Sequence, residues 1–388
     1  MVKLAENTIT KEELIKLSSW IPNAPQLTKG PLVKEFEKKY AEYTGTDYCV
    51  MVNSGSSANL LMAYSLLEGG YLKNKKVVVP AVSWITTLSP FLQFGFETFL
   101  CDSDSKNLGL DVEMLEDLFK KEKPALLIVV HVLAHLNDMD QIHILCKKYD
   151  VILIEDACEA LGTSYNGKKA GNLSLAGSFS FYYGHHISTI EGGAVTTNDR
   201  NLYNLMLSIR SHGWSRDVDT DYQDKWKDEF EVDDFREFYS FYYPGFNLRS
   251  TDLNAFLGIN QLEKMDEIVK VRETNYLLYK SLLQDKFWIQ ESKYDQLSSF
   301  AFGTLVENRL EVFNHLKKNN IETRPLICGS MGRQPFWIKK HGEQHLPIAD
   351  VVHDFGIYLP NHLYVSEADV KFVCGKFKEV AIPKKIKD

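Results

Sequence analysis

The sequence has no apolar run approaching the ~18 residues needed to cross a bilayer, so a membrane-spanning helix is not expected. Its first fourteen residues are polar and charged, which is unlike the apolar stretch of a secretory leader. The six cysteines are scattered and include no C-x-x-C pair, so neither a disulfide framework nor an iron–sulfur cluster is indicated. Positive charge is not in excess: 44 Lys and Arg against 52 Asp and Glu leave a net charge of −8 and no basic footprint for nucleic acid. Internal repeats and low-complexity tracts are absent. These absences leave a cytoplasmic, globular protein with reduced thiols as the expectation. A local cluster of cations or a helix N-terminus would still suffice to hold a phosphorylated small molecule.

At 388 residues, with 44% hydrophobic residues, the chain is long enough for two domains. Thr10 and Glu13 form a capping box ahead of Leu14, Leu17 and Trp20, which predicts a first helix. Pro22, Pro25 and Pro31 then punctuate the chain before a second helix at 32–44, with Val33, Phe36 and Tyr40 on one face. From there, short apolar runs alternate with amphipathic stretches, the runs being 48–52, 76–79, 97–101, 125–130, 151–154, 177–182 and 193–197. This pattern predicts a largely parallel sheet covered on both faces, with its ligand crevice beyond the carboxyl ends of the strands. The polar stretch 217–237 reads as an insertion or mobile loop, although its aromatics have the means to dock. Residues 253–283 read as a long helix or a helix pair, and 285–388 as a smaller region of strands and helices.

Several polar motifs fall where strands should end. Asn53-Ser54-Gly55-Ser56-Ser57-Ala58-Asn59 joins an apolar run to a helical one, and a small-residue turn opening a helix offers free amides to a phosphate. An ordinary serine N-cap has about even odds there. Glu155-Asp156 follows the apolar run 151–154 directly, and an acid in that position calls for a cation unless it merely caps a helix. Tyr183-Gly184-His185-His186 precedes Glu191-Gly192-Gly193. A lone histidine is usually structural, whereas two together beside such a motif are less easily dismissed. A metal site is a weak reading, since no third ligand stands at suitable spacing. Arg210, His212, Trp214, Arg216 and the run Gly245-Phe246-Asn247-Leu248-Arg249 add cations that suit a diphosphate or belong to the surface.

Taken together, the order and spacing of these motifs, with Thr28-Lys29-Gly30-Pro31 and Glu35-Phe36-Glu37, resemble the sugar-nucleotide aminotransferase family over most of the chain. The resemblance implies the aspartate aminotransferase fold (fold type I of the pyridoxal phosphate enzymes). That fold has a large domain, 1–250, with a mostly parallel mixed seven-stranded sheet, and a small C-terminal α+β domain, 251–388. It implies that Gly55, Ser56 and Ser180 hold the phosphate of pyridoxal or pyridoxamine 5′-phosphate and that Trp84 stacks on its ring. Asp156 would pair with the ring nitrogen, and Glu159 would approach the ring hydroxyl. Asn247 would reach the phosphate of a neighbouring subunit in a homodimer, while His212 and Arg249 would serve the substrate.

The departure from the family is at its lysine. The family pattern sets a Schiff-base lysine eight residues before the second glycine of Glu191-Gly192-Gly193, and His185 stands there. No lysine lies between Lys169 and Lys225, so no small shift of alignment restores one. An imidazole cannot capture the cofactor aldehyde, but it moves protons near neutral pH. The substitution resembles the lysine-less branch of the family, the sugar 3-dehydratases. That branch implies removal of the C3 hydroxyl from a nucleotide-linked 4-keto-6-deoxy hexose or heptose, with L-glutamate restoring the pyridoxamine form. An ordinary aminotransferase and an inactive sugar-nucleotide-binding descendant are the alternatives.

Overall fold

A computed structural model describes residues 1–24 and 26–386; Pro25 lies outside them. The predicted runs form strands β1 (Tyr48–Val52), β2 (Lys76–Pro80), β3 (Glu97–Cys101), β4 (Leu126–Val130) and β5 (Ile152–Asp156). A two-stranded hairpin, β6 (Ser164–Tyr165) and β7 (Lys168–Lys169), precedes β8 (Ala176–Ser180) and β9 (Gly193–Thr197). Seven of these make one sheet in the order β1-β9-β8-β5-β4-β2-β3. Only β9 runs against the rest: it pairs antiparallel with both β1 and β8, and the other neighbours are parallel. Strands such as Leu126–Val130 are buried along their whole length, as sheets covered on both faces require.

The parallel strands therefore deliver their carboxyl ends to one edge. β1 leads into Ser54 and Gly55, β2 toward Trp84, β5 into Cys158 and Glu159, and β8 into the turn that carries His185. Gly193, which opens β9, crosses this edge so closely that a Cβ on it would lie 2.4 Å from the Ser54 carbonyl carbon. Only glycine lets these two backbones approach.

Helices close both faces. Lys11–Trp20 begins with the capping box of Thr10 and Glu13, and Pro31–Thr44 packs on β1 and on the helix Asp252–Leu262. Asp252 ties these two helices together, since its Oδ1 accepts from the amides of Gly30 (2.8 Å) and Val33 (3.0 Å). The stretch 253–283 is a helix pair, Asp252–Leu262 followed by Met265–Leu283. A second sheet, β10 (Phe302–Leu305), β11 (Arg324–Pro325) and β12 (Gly356–Leu359), is antiparallel in the order β10-β12-β11. Asp102, just after β3, joins this part to the large sheet by capping the helix Pro347–Phe355 through the amides of Ile348 (2.9 Å) and Ala349 (2.8 Å).

The expectation for 217–237 is corrected. That stretch contains a ten-residue helix, Thr220–Glu229. Its polar face looks outward, and Trp226, only 8% exposed, packs against Tyr222, Tyr242 and Tyr243. One well-buried tryptophan anchors a segment whose composition reads as loop. No helix among the described residues is long and apolar enough to cross a membrane.

Candidate active site

At the carboxyl edge of the large sheet lies a cleft of about 710 Å³. Its lining brings together Gly55, Ser56, Trp84, Asp156, Glu159, Ser180 and His185, and Arg324 reaches it from β11. No lysine is among the lining residues.

One wall is the start of the helix Gly55–Glu68. Ser54 caps it, its hydroxyl accepting from the Ser57 amide at 3.0 Å. The serine N-cap is therefore real, and it leaves the amides of Gly55 and Ser56 without an intrahelical acceptor at the positive end of the dipole. Gly55 sits tightly against β8: a Cβ there would lie 2.5 Å from the Ser180 Cβ. This glycine keeps open a cradle of backbone amides beside two serine hydroxyls, which is the donor set a phosphate needs.

The floor is Asp156 at the end of β5. It is 5% exposed, and its Oδ2 accepts from Asn59 Nδ2 and Thr87 Oγ1, both at 2.8 Å. Among the described residues, Oδ1 accepts only the Cys158 amide, at 3.2 Å. The carboxylate is thus held in one orientation, with capacity left for a cation in the cleft. Its neighbour Glu155 points the other way. It is fully buried and takes up His131 Nε2 (3.0 Å), the amides of Gly171 (2.9 Å) and Leu173 (2.8 Å), and Ser174 Oγ (2.8 Å). Alternation along the strand separates the two acids, so of the pair only Asp156 serves the cleft.

Glu159 lines the cleft as well. Its Oε2 accepts the Leu133 amide at 2.9 Å, and burial pushes its carboxyl up to about 7. Trp84 caps the helix Ile85–Gln93 and is 56% exposed, which leaves an indole face available to a flat ligand.

His185 hangs from a tight turn closed by its own amide on the Tyr182 carbonyl (2.9 Å). Its Nδ1 is 2.8 Å from the Cys158 carbonyl oxygen. A carbonyl only accepts, so Nδ1 carries the hydrogen and Nε2 keeps the lone pair. Burial holds this imidazole down to about 4, so it is a neutral base at pH 7. His186 faces the opposite way. It is wholly buried, its Nε2 lies 2.8 Å from the Ser298 carbonyl oxygen, and burial lowers its pKa strongly.

His212, Asn247 and Arg249 do not line the cleft of their own chain. They meet one another instead: Arg249 Nε donates to Asn247 Oδ1 (3.0 Å), and Arg249 Nη2 lies 3.4 Å from His212 Nε2. Their backbones extend the β1 edge through bridges from Arg249 to Val52 and from Asn247 to Ser211.

The DegT/DnrJ/EryC1/StrS aminotransferase family model matches residues 8–378. The chain belongs to this family. A GDP-4-keto-6-deoxy-D-mannose 3-dehydratase of Yersinia pseudotuberculosis is 34% identical over 373 residues, covering 92% of this chain and 93% of the relative. A GDP-perosamine synthase of Escherichia coli O157:H7 is 29% identical over 366 residues, covering 93% and 92%. The solved structure of E. coli GDP-4-keto-6-deoxy-D-mannose-3-dehydratase with bound hydrated PLP superposes with a TM-score of 0.88 at 29% identity, covering 97% and 99%. Family membership makes the chain a vitamin B6-dependent enzyme, and the cleft fits that cofactor: a phosphate cradle, an indole for the ring and an acid for its nitrogen. Sequence reasoning missed Arg324. Its only signal was the dipeptide Arg324-Pro325, which predicts an extended backbone but not a place in the cleft.

Proposed function

We propose that the chain is a pyridoxamine phosphate-dependent 3-dehydratase of a nucleotide-linked 4-keto-6-deoxy sugar, with glutamate restoring the cofactor's amine. GDP-4-keto-6-deoxy-mannose is the first substrate to try, because relatives act on GDP-linked sugars, and its heptose analogue is the second. Net, the sugar exchanges its C3 hydroxyl for hydrogen, and glutamate becomes 2-oxoglutarate and ammonia. Oxidation of glutamate supplies the two electrons that deoxygenation consumes. Such a reaction belongs to 3,6-dideoxy sugar supply for surface polysaccharide.

The observation that carries this reading is the histidine in the lysine's place, with its tautomer fixed and its Nε2 unprotonated. Pyridoxamine phosphate supplies an amine for the C4 ketone and a pyridinium ring that draws electrons from adjacent bonds. Asp156 holds that nitrogen's proton. Gly55, Ser56 and Ser180 hold the phosphate, Trp84 covers the ring, and Glu159 faces the ring hydroxyl. His185 Nε2 takes a proton at the reacting carbon and returns it to the hydroxyl leaving C3. A lysine there would capture the aldehyde and favour amine transfer.

The cluster of His212, Asn247 and Arg249 supports a second part of the proposal. These polar groups converge outside their own cleft, next to its phosphate end, as residues offered to a partner subunit would. In this reading the working unit is a homodimer in which Asn247 completes the neighbour's phosphate site and His212 and Arg249 meet its nucleotide. A stable, fully active monomer in sedimentation analysis would contradict it.

The decisive experiment incubates the cofactor-loaded protein with L-glutamate and a panel of 4-keto sugar nucleotides and weighs the products. A 4-keto-3-deoxy sugar with equimolar ammonia is expected. A 4-amino sugar without ammonia would identify an aminotransferase, and no turnover on any sugar would favour a binding protein.

A further inference from the structure

Asp156 is the end of a buried chain of polar groups that crosses three elements. Ser178 of β8 is wholly buried, and its hydroxyl donates to Asn59 Oδ1 at 2.6 Å. Asn59, buried in the helix Gly55–Glu68, donates in turn from Nδ2 to Asp156 Oδ2 at 2.8 Å. Chemistry fixes the direction of this chain. An ionised carboxylate only accepts, so the amide presents its nitrogen to Asp156 and its oxygen to Ser178. Thr87 Oγ1, from the helix Ile85–Gln93, donates to the same carboxylate oxygen at 2.8 Å. Both side-chain donors fall on Oδ2, which leaves Oδ1 as the oxygen turned to a ring nitrogen.

The setting of Asn59 shows what the amide is for. Its neighbours on the helix, Ala58, Leu61 and Met62, are buried and apolar. A leucine would fill the same space, and an amide is costly there unless both of its ends are bonded. Asn59 also stands four residues after Gly55, on the same face of the helix. One turn of helix therefore ties the phosphate cradle to the acid for the ring nitrogen.

We propose that Asn59, aligned by Ser178, is a positioning residue that keeps the negative charge on Asp156 and so keeps the proton on the ring nitrogen. Hydrogen bonds to a carboxylate favour its charged form, and donors in a chain polarise one another. With them, the ring nitrogen and the acid form an ion pair. Without them, the shared proton moves toward the carboxylate oxygen, and the ring draws electrons less strongly. The inference rests on the reading that Asp156 meets the ring nitrogen. It does not depend on the sugar, because the glutamate half of the cycle proceeds without one.

The test loads the full chain with pyridoxamine phosphate carrying nitrogen-15 in the ring and compares wild type, Ser178→Ala and Asn59→Leu by solid-state nitrogen NMR. The wild-type ring nitrogen should resonate as a pyridinium. The signal should move toward the free-base position in Ser178→Ala and further in Asn59→Leu. A second readout is the glutamate-driven loss of aldehyde absorbance after loading with pyridoxal phosphate. Its saturating rate should fall roughly tenfold in Asn59→Leu, as expected for one lost hydrogen bond to a charged group, and the half-saturating glutamate concentration should stay within about threefold. Cofactor retention and melting temperature report on folding, and Ser178→Ala is the milder variant if Asn59→Leu is unstable. A pyridinium signal and a wild-type rate in both variants, with only the melting temperature lowered, would make Asn59 a packing residue and overturn the inference. A free-base signal already in the wild type would overturn the role of Asp156 itself, so the two readings fail separately.

Discussion

The lining of the cleft and the packed layer behind it are built from adjacent residues of the same type with opposite duties. Asp156 and His185 face the cleft, while Glu155 and His186 turn into the protein. Glu155 is saturated by four donors, whereas Asp156 keeps capacity for a cation. Both histidines are neutral at pH 7 because burial disfavours their charged forms. The difference is that Nε2 of His186 is spent on the Ser298 carbonyl, and Nε2 of His185 is not. Residue type does not decide the role in either pair; the face on which the backbone presents the side chain does.

The comparison is broken most severely by His185→Lys. That variant should form a borohydride-reducible adduct with the cofactor, absent from the wild type, and lose C3 deoxygenation almost entirely. Intact mass and product analysis check both halves, and full dehydratase activity in this variant would refute the role given to the imidazole.

Asp156→Asn and Glu155→Gln should separate function from folding. The asparagine variant should lose roughly 10²-fold or more in turnover, as the ring nitrogen loses its counter-ion, with little change in thermal stability. The glutamine variant should lose roughly 2–4 kcal/mol of stability, because a buried acceptor of four hydrogen bonds loses its charge, and it should retain turnover per folded molecule. Reversed outcomes in melting and kinetics would dissolve the division between the two acids.

His186→Asn should cost about 1–3 kcal/mol through its broken contact with Ser298 and leave kcat within a few-fold. If turnover collapses instead, the proton work lies with His186.

The smallest effect is in pH dependence. His185 takes up a proton only as the pH falls through about 4, so the acid limb that it sets in kcat/KM should lie near 4 and not near the ordinary histidine value. A limb near 6.5 would place the essential base elsewhere.

Much of the fold was legible because buried parallel strands leave short, nearly continuous apolar runs. Four of the seven predicted runs differ from the observed strands by no more than two residues at an end, and Tyr48–Val52, Glu97–Cys101 and Gly193–Thr197 match outright. Asp156 and His185 were legible from their place after strands and by resemblance. The helix Thr220–Glu229 was not, since its stability comes from the docking of Trp226 onto distant tyrosines and not from its own polar pattern. Arg324 was hidden for a related reason: β11 is two residues long, and only pairing with β12 brings it to the cleft.

The central claim, that the imidazole at the lysine's position moves the proton, is tested most directly by single-turnover dehydration with His185→Asn. The protein is loaded with pyridoxamine phosphate, mixed with GDP-4-keto-6-deoxy-mannose without glutamate, and the 3-deoxy product is timed per bound cofactor. The account predicts cofactor occupancy equal to wild type and a rate lower by about 10²-fold or more, the usual contribution of a general base. A near-normal rate at full occupancy would contradict it.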